Sequence, residues 1–158
     1  MTIEYLKRLE KTPKIGTDKI KGVSESEIEK VEKKFNIVFP KSYREFLILA
    51  GENRGALPMM DTADLETISS DWHQEIMWEE LQDTGTKIDR PFWLFAESNG
   101  CEIFYFFYLD EEKADPVVHM VNYAQEDRKR NVRSLEITFS EFISEMIDLA
   151  YRYEKEGY

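Results

Sequence analysis

Val23–Leu57 reads VSESEIEKVEKKFNIVFPKSYREFLILAGENRGAL, a pattern of helix, short extended break, proline-started helix and glycine-bearing turn. Ser24 and Glu27 have the spacing of a capping box, in which each side chain satisfies a backbone donor at the helix start. Val23 and Ile28 occupy the two positions of a hydrophobic staple across that cap. Ile28, Val31 and Phe35 share one helical face, with Glu29, Lys30, Glu32, Lys33 and Lys34 largely on the others. Asn36 suits a left-handed terminator. Ile37-Val38-Phe39 cannot carry the helix into Pro40, because the residue before a proline is pushed toward extended geometry. Pro40 suits the first turn of the next helix, where its missing N–H costs nothing. Tyr43, Phe46, Leu47 and Ala50 then recur at helical spacing until Gly51.

Outward from this stretch, Ile3, Leu6 and Leu9 predict a short opening helix, and residues 12–22, with Pro13 and Gly16, predict a surface loop. Met59–Asp83 reads as mostly helical, with a short extended piece admissible at Leu65–Ser70. Phe92–Glu97 and Glu102–Leu109 flank Ser98-Asn99-Gly100-Cys101, a hairpin signal. Asp110–Pro116 is a turn, and Val117–Ala124 and Val132–Ile137 are further strands. Thr138 caps a last helix in which Phe139, Phe142, Ile143, Met146 and Ala150 form a broad apolar face. Ile103–Tyr108 does not alternate, so this strand is predicted to be central and covered on both sides. Helices at both ends of the chain around central antiparallel strands make the fold class α+β, in a single domain over residues 1–158.

These residues carry a resemblance to the SUKH superfamily, the Smi/Knr cell-wall-regulator type of domain. The matching features are Phe39-Pro40, Tyr43, Phe46-Leu47 and the turn at Asn53–Gly55, then Asn99-Gly100 between two apolar strands, then Thr138-Phe139-Ser140-Glu141-Phe142 at a closing helix. The resemblance runs from about Val23 to Ile147. It departs at Ala50-Gly51-Glu52-Asn53, where the family more often has an Asn-Gly-Gly style turn. It implies a central antiparallel sheet with flanking helices and a non-catalytic protein-binding role. The first such role is an immunity protein that neutralises a bacterial toxin by direct contact. The alternative is a regulatory scaffold like the fungal regulators of cell-wall (glucan) synthesis, which are longer and carry disordered arms.

Composition narrows the function classes. The chain has 158 residues, 42% hydrophobic and 13% aromatic, enough for a real core and unlike a disordered segment. The net charge of −11 disfavours nucleic acid and anionic membrane surfaces, both of which need a basic protein face. A basic protein partner, such as a nuclease-like toxin domain, suits it. The charged, amphipathic N-terminus is unlike a signal peptide. A single cysteine, Cys101, makes no internal disulfide and fits a reducing cytosol, so the expected location is cytoplasmic.

Catalytic vocabulary is sparse. His73 and His119 are the only histidines. No zinc spacing, phosphate-cradling glycine loop or nucleophile elbow is present. Cys101 and His119, on neighbouring strands, are the one conceivable nucleophile–base pair. With no third group to orient them, the favoured reading is a cysteine packed as a small hydrophobe. The acids Asp110, Glu111, Glu112 and Asp115 share one turn but lack the spacing of a calcium loop. No catalytic, cofactor or metal residue is therefore nominated.

The charge pattern carries more information than its total. Asp61–Asp83 holds eight acids and no lysine or arginine, with Trp72 and Trp78 among them. Acids at helical spacing repel, as at Asp71–Glu75 and Glu75–Glu79. One reading is a negative field kept for a partner. Its candidate contacts are Asp64, Glu66, Asp71, Trp72, Glu75, Trp78, Glu79 and Glu80. The other reading is a solvated face whose Leu65, Ile68, Trp72, Ile76 and Leu81 pack inward. The opposite patch, Arg128-Lys129-Arg130 with Arg133, is too short for duplex binding and reads as a solvated turn.

Overall fold

The computed structural model describes residues 1–16, 18–124 and 131–157. The helices are α1 (Lys7–Glu10), α2 (Glu25–Phe35), α3 (Lys41–Ala50), α4 (Leu65–Ile68), α5 (Asp71–Thr84) and α6 (Phe139–Glu156). The strands are β1 (Lys14–Ile15), β2 (Asp18–Lys21), β3 (Asn53–Arg54), β4 (Phe92–Ser98), β5 (Ile103–Tyr108), β6 (Val117–Asn122) and β7 (Val132–Thr138). They form a four-stranded antiparallel meander β4-β5-β6-β7 and a small antiparallel sheet β1-β2-β3. The α+β class is thus as the sequence indicates.

The helix-break-helix stretch forms for the reasons its residues suggest. Ser24 and Glu27 make both halves of the capping box, and Asn36 ends α2 at φ 55°. Pro40 lies one place earlier than expected. Its ψ of 148° makes it the cap of α3 rather than a helical residue. Phe39 and Phe35 then meet Trp93 edge-on at centroid separations of 4.9 and 5.2 Å. Arg44 bonds to Glu32, and Glu32 also accepts the Phe39 N–H at 2.7 Å, so α2, the break and α3 are locked together.

Residues 12–22 hold more structure than the loop expected there. β1 and β2 pair about Gly16, and β2 pairs onward to β3. The strands are too short for any periodicity to reveal them. Gly22 is required by close approach. A Cβ there would stand 1.6 Å from the Ile48 carbonyl oxygen on α3, and the adjacent Val23 N–H donates to Leu47 on the same helix.

The core lies on both faces of the meander. On one face Tyr43 and Phe46 of α3 and Phe139 and Phe142 of α6 pack on Phe95, Tyr105 and Phe107. On the other, Phe92, Phe104 and Phe106 lie beneath α5. This explains why Phe104–Phe107 are all buried: β5 is an interior strand with a helical layer on each side. One detail of β4 has no signature in the sequence. Its register with β5 slips between Leu94 and Ala96, so Phe95 is an extra residue. A bulge reverses the in/out phase of everything after it. Trp93 and Phe95 face α3 and α6, yet Glu97, paired with Phe104, faces α5.

The opening residues are fastened by a buried acid. Glu45 of α3 has no exposed surface, and its Oε1 accepts the backbone N–H groups of Glu4, Tyr5 and Leu6 at 2.8–3.0 Å. The helix predicted there is only one turn long, but Ile3, Leu6 and Leu9 are all buried as expected. Arg8 extends the attachment to Ser144 and Asp148 of α6. Glu45→Ala leaves three backbone donors unpaired and is expected to lower the urea unfolding free energy by about 3 kcal/mol. The same variant should open residues 1–11 to limited proteolysis before global unfolding.

Candidate functional site

α5 begins where Ser70 accepts the His73 N–H as N-cap, and it ends at Gly85 in the left-handed region. At 100° per residue, positions four apart share a face. His73, Met77 and Leu81 therefore point together onto the sheet, and all three are buried. Leu65 and Ile68 of α4 are buried too, but Trp72 and Ile76 are not the core residues that a simple packing scheme makes them. They stand one position ahead of His73 and Met77, rotated out of the contact. Histidine takes the inward place because Glu97, turned toward α5 by the bulge, gives it a partner.

The outward face of α5 carries Trp72, Glu75, Ile76, Trp78, Glu79 and Glu80, all exposed. Trp72 is 57%, Trp78 52% and Ile76 45% exposed. Single exposed apolar residues are ordinary on a protein surface, but a group containing two tryptophans on one helix is a patch. Trp78 is braced edge-on by Phe92 at 5.5 Å, beside a cleft of about 350 Å³ that also involves Leu81 and Ile88. Trp72 is braced by the His73 ring at 5.8 Å. Asp71 opens the helix and pairs with Lys34 of α2 at 2.9 Å. Asp64 and Glu66 lie apart from this face. Asp64 caps α4 by accepting the Thr67 N–H, and both line a separate cleft of about 430 Å³ with Val23 and Val31. Six of the eight nominated residues thus belong to α5.

Beneath α5 is a small polar cluster that sequence reasoning does not assemble. His73 Nε2 lies 2.7 Å from Glu97 Oε1, with the two side chains only 5% and 9% exposed. The second oxygen of Glu97 accepts the Cys101 thiol at 2.9 Å. Burial pushes the Glu97 carboxyl up, but the hydrogen bonds from His73 and Cys101, with the His73 charge, outweigh it and hold the pKa below the usual value. The Cys101 thiol moves the opposite way. Burial and the hydrogen bond to Glu97 push it up to about 12. A thiol next to a carboxylate is a poor nucleophile, since the thiolate is the reactive form.

The Cys101–His119 pairing considered from sequence does not form. His119 is registered opposite Phe106, on the order of 15 Å along β5 from the hairpin tip at strand rise. It packs on Tyr108 at 4.6 Å. Burial holds its pKa below 6.5, with the Arg90 charge aiding and Glu111 opposing. The acids of the Asp110–Asp115 turn are dispersed: Asp110 pairs with Arg90 and Asp115 accepts from Ser140 at the start of α6. Among the described residues no group of three His, Cys, Asp or Glu is placed to hold a metal ion. No described helix is long and apolar enough to cross a membrane. Arg133 is exposed on β7, and Arg128-Lys129-Arg130 lies outside the described residues.

Two measurements check the cluster. A carboxyl whose pKa is depressed on folding adds stability above its unfolded pKa of about 4.3 and loses it as pH falls further. Urea midpoints between about pH 3 and 7 should therefore fall in the acid limb less steeply for Glu97→Gln than for wild type. Alkylation of Cys101 by iodoacetamide near neutral pH should be at least about tenfold slower than that of a free thiol, despite the exposed position. Glu97→Gln should speed it.

A search of curated proteins gave no match. The family model described as SMI1 / KNR4 family (SUKH-1) matches residues 22–145. That span runs from the Gly22 approach to α3 through the meander to the middle of α6, and it includes α5. By that match, the chain belongs to the SMI1/KNR4 family (SUKH-1).

Proposed function

We propose that this protein is a non-catalytic binding domain that acts as an immunity protein, neutralising a cognate bacterial toxin by direct contact. The observation that carries this reading is the outer face of α5, where two exposed tryptophans stand among carboxylates. Aromatic anchors supply most of the grip in a protein interface, and surrounding charge mainly sets the speed and choice of encounter. The net charge of −11 fits a basic toxin, such as a nuclease that itself binds phosphate. Neutralisation is then steric: the domain covers the toxin's working surface, without turnover and without a cofactor. The chemistry beneath α5 agrees with this, since Cys101 is suppressed as a nucleophile and Glu97 is engaged by both of its neighbours. A regulator that binds without turnover would use the same kind of face, and a toxin assay separates the two roles.

The test uses whatever toxin-like domain the neighbouring genes encode. That domain should bind the purified protein, and co-expression should protect cells from it. Absence of both binding and protection removes the immunity role. Reversal of Glu75 and Glu79 to lysine should slow association by about tenfold or more at low salt. The unfolding free energy should move by no more than about 0.5 kcal/mol, because both side chains are solvent-exposed. Stopped-flow association at two ionic strengths reads the first effect and urea unfolding the second.

A further inference from the structure

The chemistry of the α5 face is narrower than negative charge. On the helical wheel Glu75, Glu79 and Asp83 form a crest, with Trp72 and Ile76 along one flank and Trp78 on the other. Glu75 is three residues from each tryptophan, so its carboxyl is a surface neighbour of both indoles. The two indoles are about 9 Å apart along the axis at 1.5 Å per residue. Asp71 has Lys34 and His73 has Glu97 as charged partners. Glu75, Glu79, Glu80 and Asp83 have no cationic partner among the described residues.

We propose that this face docks an arginine-bearing segment of the partner protein, with guanidinium groups laid on Trp72 and Trp78 and their N–H forks taken by Glu75 and Glu79. The proposal rests on the reading of α5 as the partner-binding surface and names what that surface recognises. An exposed indole beside a free carboxylate offers two things at once, a π face and a pair of acceptor oxygens. Guanidinium uses both, because it is planar, weakly hydrated and bidentate, whereas an ammonium is a compact and strongly hydrated point charge. A second copy of this chain is a poor occupant, since two such crests would meet with like charge. Nucleic acid is a poor occupant for the same reason.

The probes are two peptides of equal length and charge, one bearing arginines at every third position and the other lysines at the same places. Calorimetry and tryptophan fluorescence follow their binding to the full chain at roughly 50 and 300 mM salt, either side of a Debye length of about 10 Å. The arginine peptide should bind at least about fivefold more tightly, with the preference persisting at the higher salt. The Trp72→Leu/Trp78→Leu variant, whose net charge is unchanged, should lose the preference. Glu75→Gln should weaken the arginine peptide more than Glu80→Gln does. Circular dichroism should confirm that all variants fold. Equal affinity for the two peptides, or a preference that survives removal of both indoles, overturns the proposal. So does concentration-dependent dimerisation through this face in sedimentation. The two readings fail separately. Toxin protection undiminished in Trp72→Leu/Trp78→Leu removes arginine docking and leaves immunity. Arginine preference without toxin binding removes immunity and leaves the docking chemistry.

Discussion

The indole N–H of Trp93 donates to the hydroxyl of Tyr43 at 3.0 Å, with both side chains buried, and much of the molecule is arranged around that bond. Tyr43 belongs to α3 and Trp93 to β4, so the bond fixes the helical layer against the sheet in both position and rotation. A buried phenol without a partner would cost more than the bond itself contributes, so alternative packings of α3 on the sheet are disfavoured. Burial also drives the Tyr43 pKa well above its ordinary value, which keeps the ring neutral. Around this one polar contact, Phe39, Phe46, Phe95, Phe107 and Phe139 surround the same ring, mostly edge-to-face. Edge-to-face pairs have preferred angles as well as contact area, so a core of rings has fewer equivalent arrangements than an aliphatic one.

That rigidity separates two kinds of polar chemistry. Polar groups within or beside the core serve attachment: Glu45 holds the opening segment, Glu32 ties the helix pair together and Asp115 anchors the start of α6. The acids of outer α5 serve no such purpose. They sit on a helix whose inner face is fixed by His73, Met77 and Leu81, so the outer face can be composed with little effect on folding. A partner-binding surface benefits from that independence, since its residues can change with the partner while the scaffold persists.

Most of the framework was legible because it is written in short-range chemistry. Ser24/Glu27 is a capping box in the structure as in the sequence, and Thr138 caps α6 as expected, with Glu141 completing a second box. Asn36 terminates α2, and Asn99-Gly100 turns the hairpin through positive φ. The unbroken apolar run of β5 correctly marked a strand covered on both sides. What could not be read depends on tertiary register. Residues 14–21 are too short to show alternation. The rotation of α5 was ambiguous because apolar residues occur on both of its faces, and only Glu97 decides that His73, not Trp72, turns inward. Cys101 and His119 read from the sequence as lying on neighbouring strands, but pairing along β5 separates them and brings Glu97 to the thiol instead.

The extra residue at Phe95 has an implication for how such a domain diversifies. In a strand, parity is a form of memory: each side chain inherits its face from the residue before it. The bulge resets that memory once, so Trp93 and Phe95 are addressed to one layer while Glu97, two residues on, is addressed to the other. A lineage that flattened this bulge without changing the strand's length would turn Glu97 from the underside of α5 into the aromatic layer and strand His73 without its acid. Deleting Phe95 would instead leave Glu97 opposite Phe104 and cost the aromatic layer one ring. The contact between His73 and Glu97 therefore depends on how the strand accommodates its extra residue. Variation that retunes the outer helix is accessible by substitution, while at this strand length the bulge must persist for His73 to keep its acid.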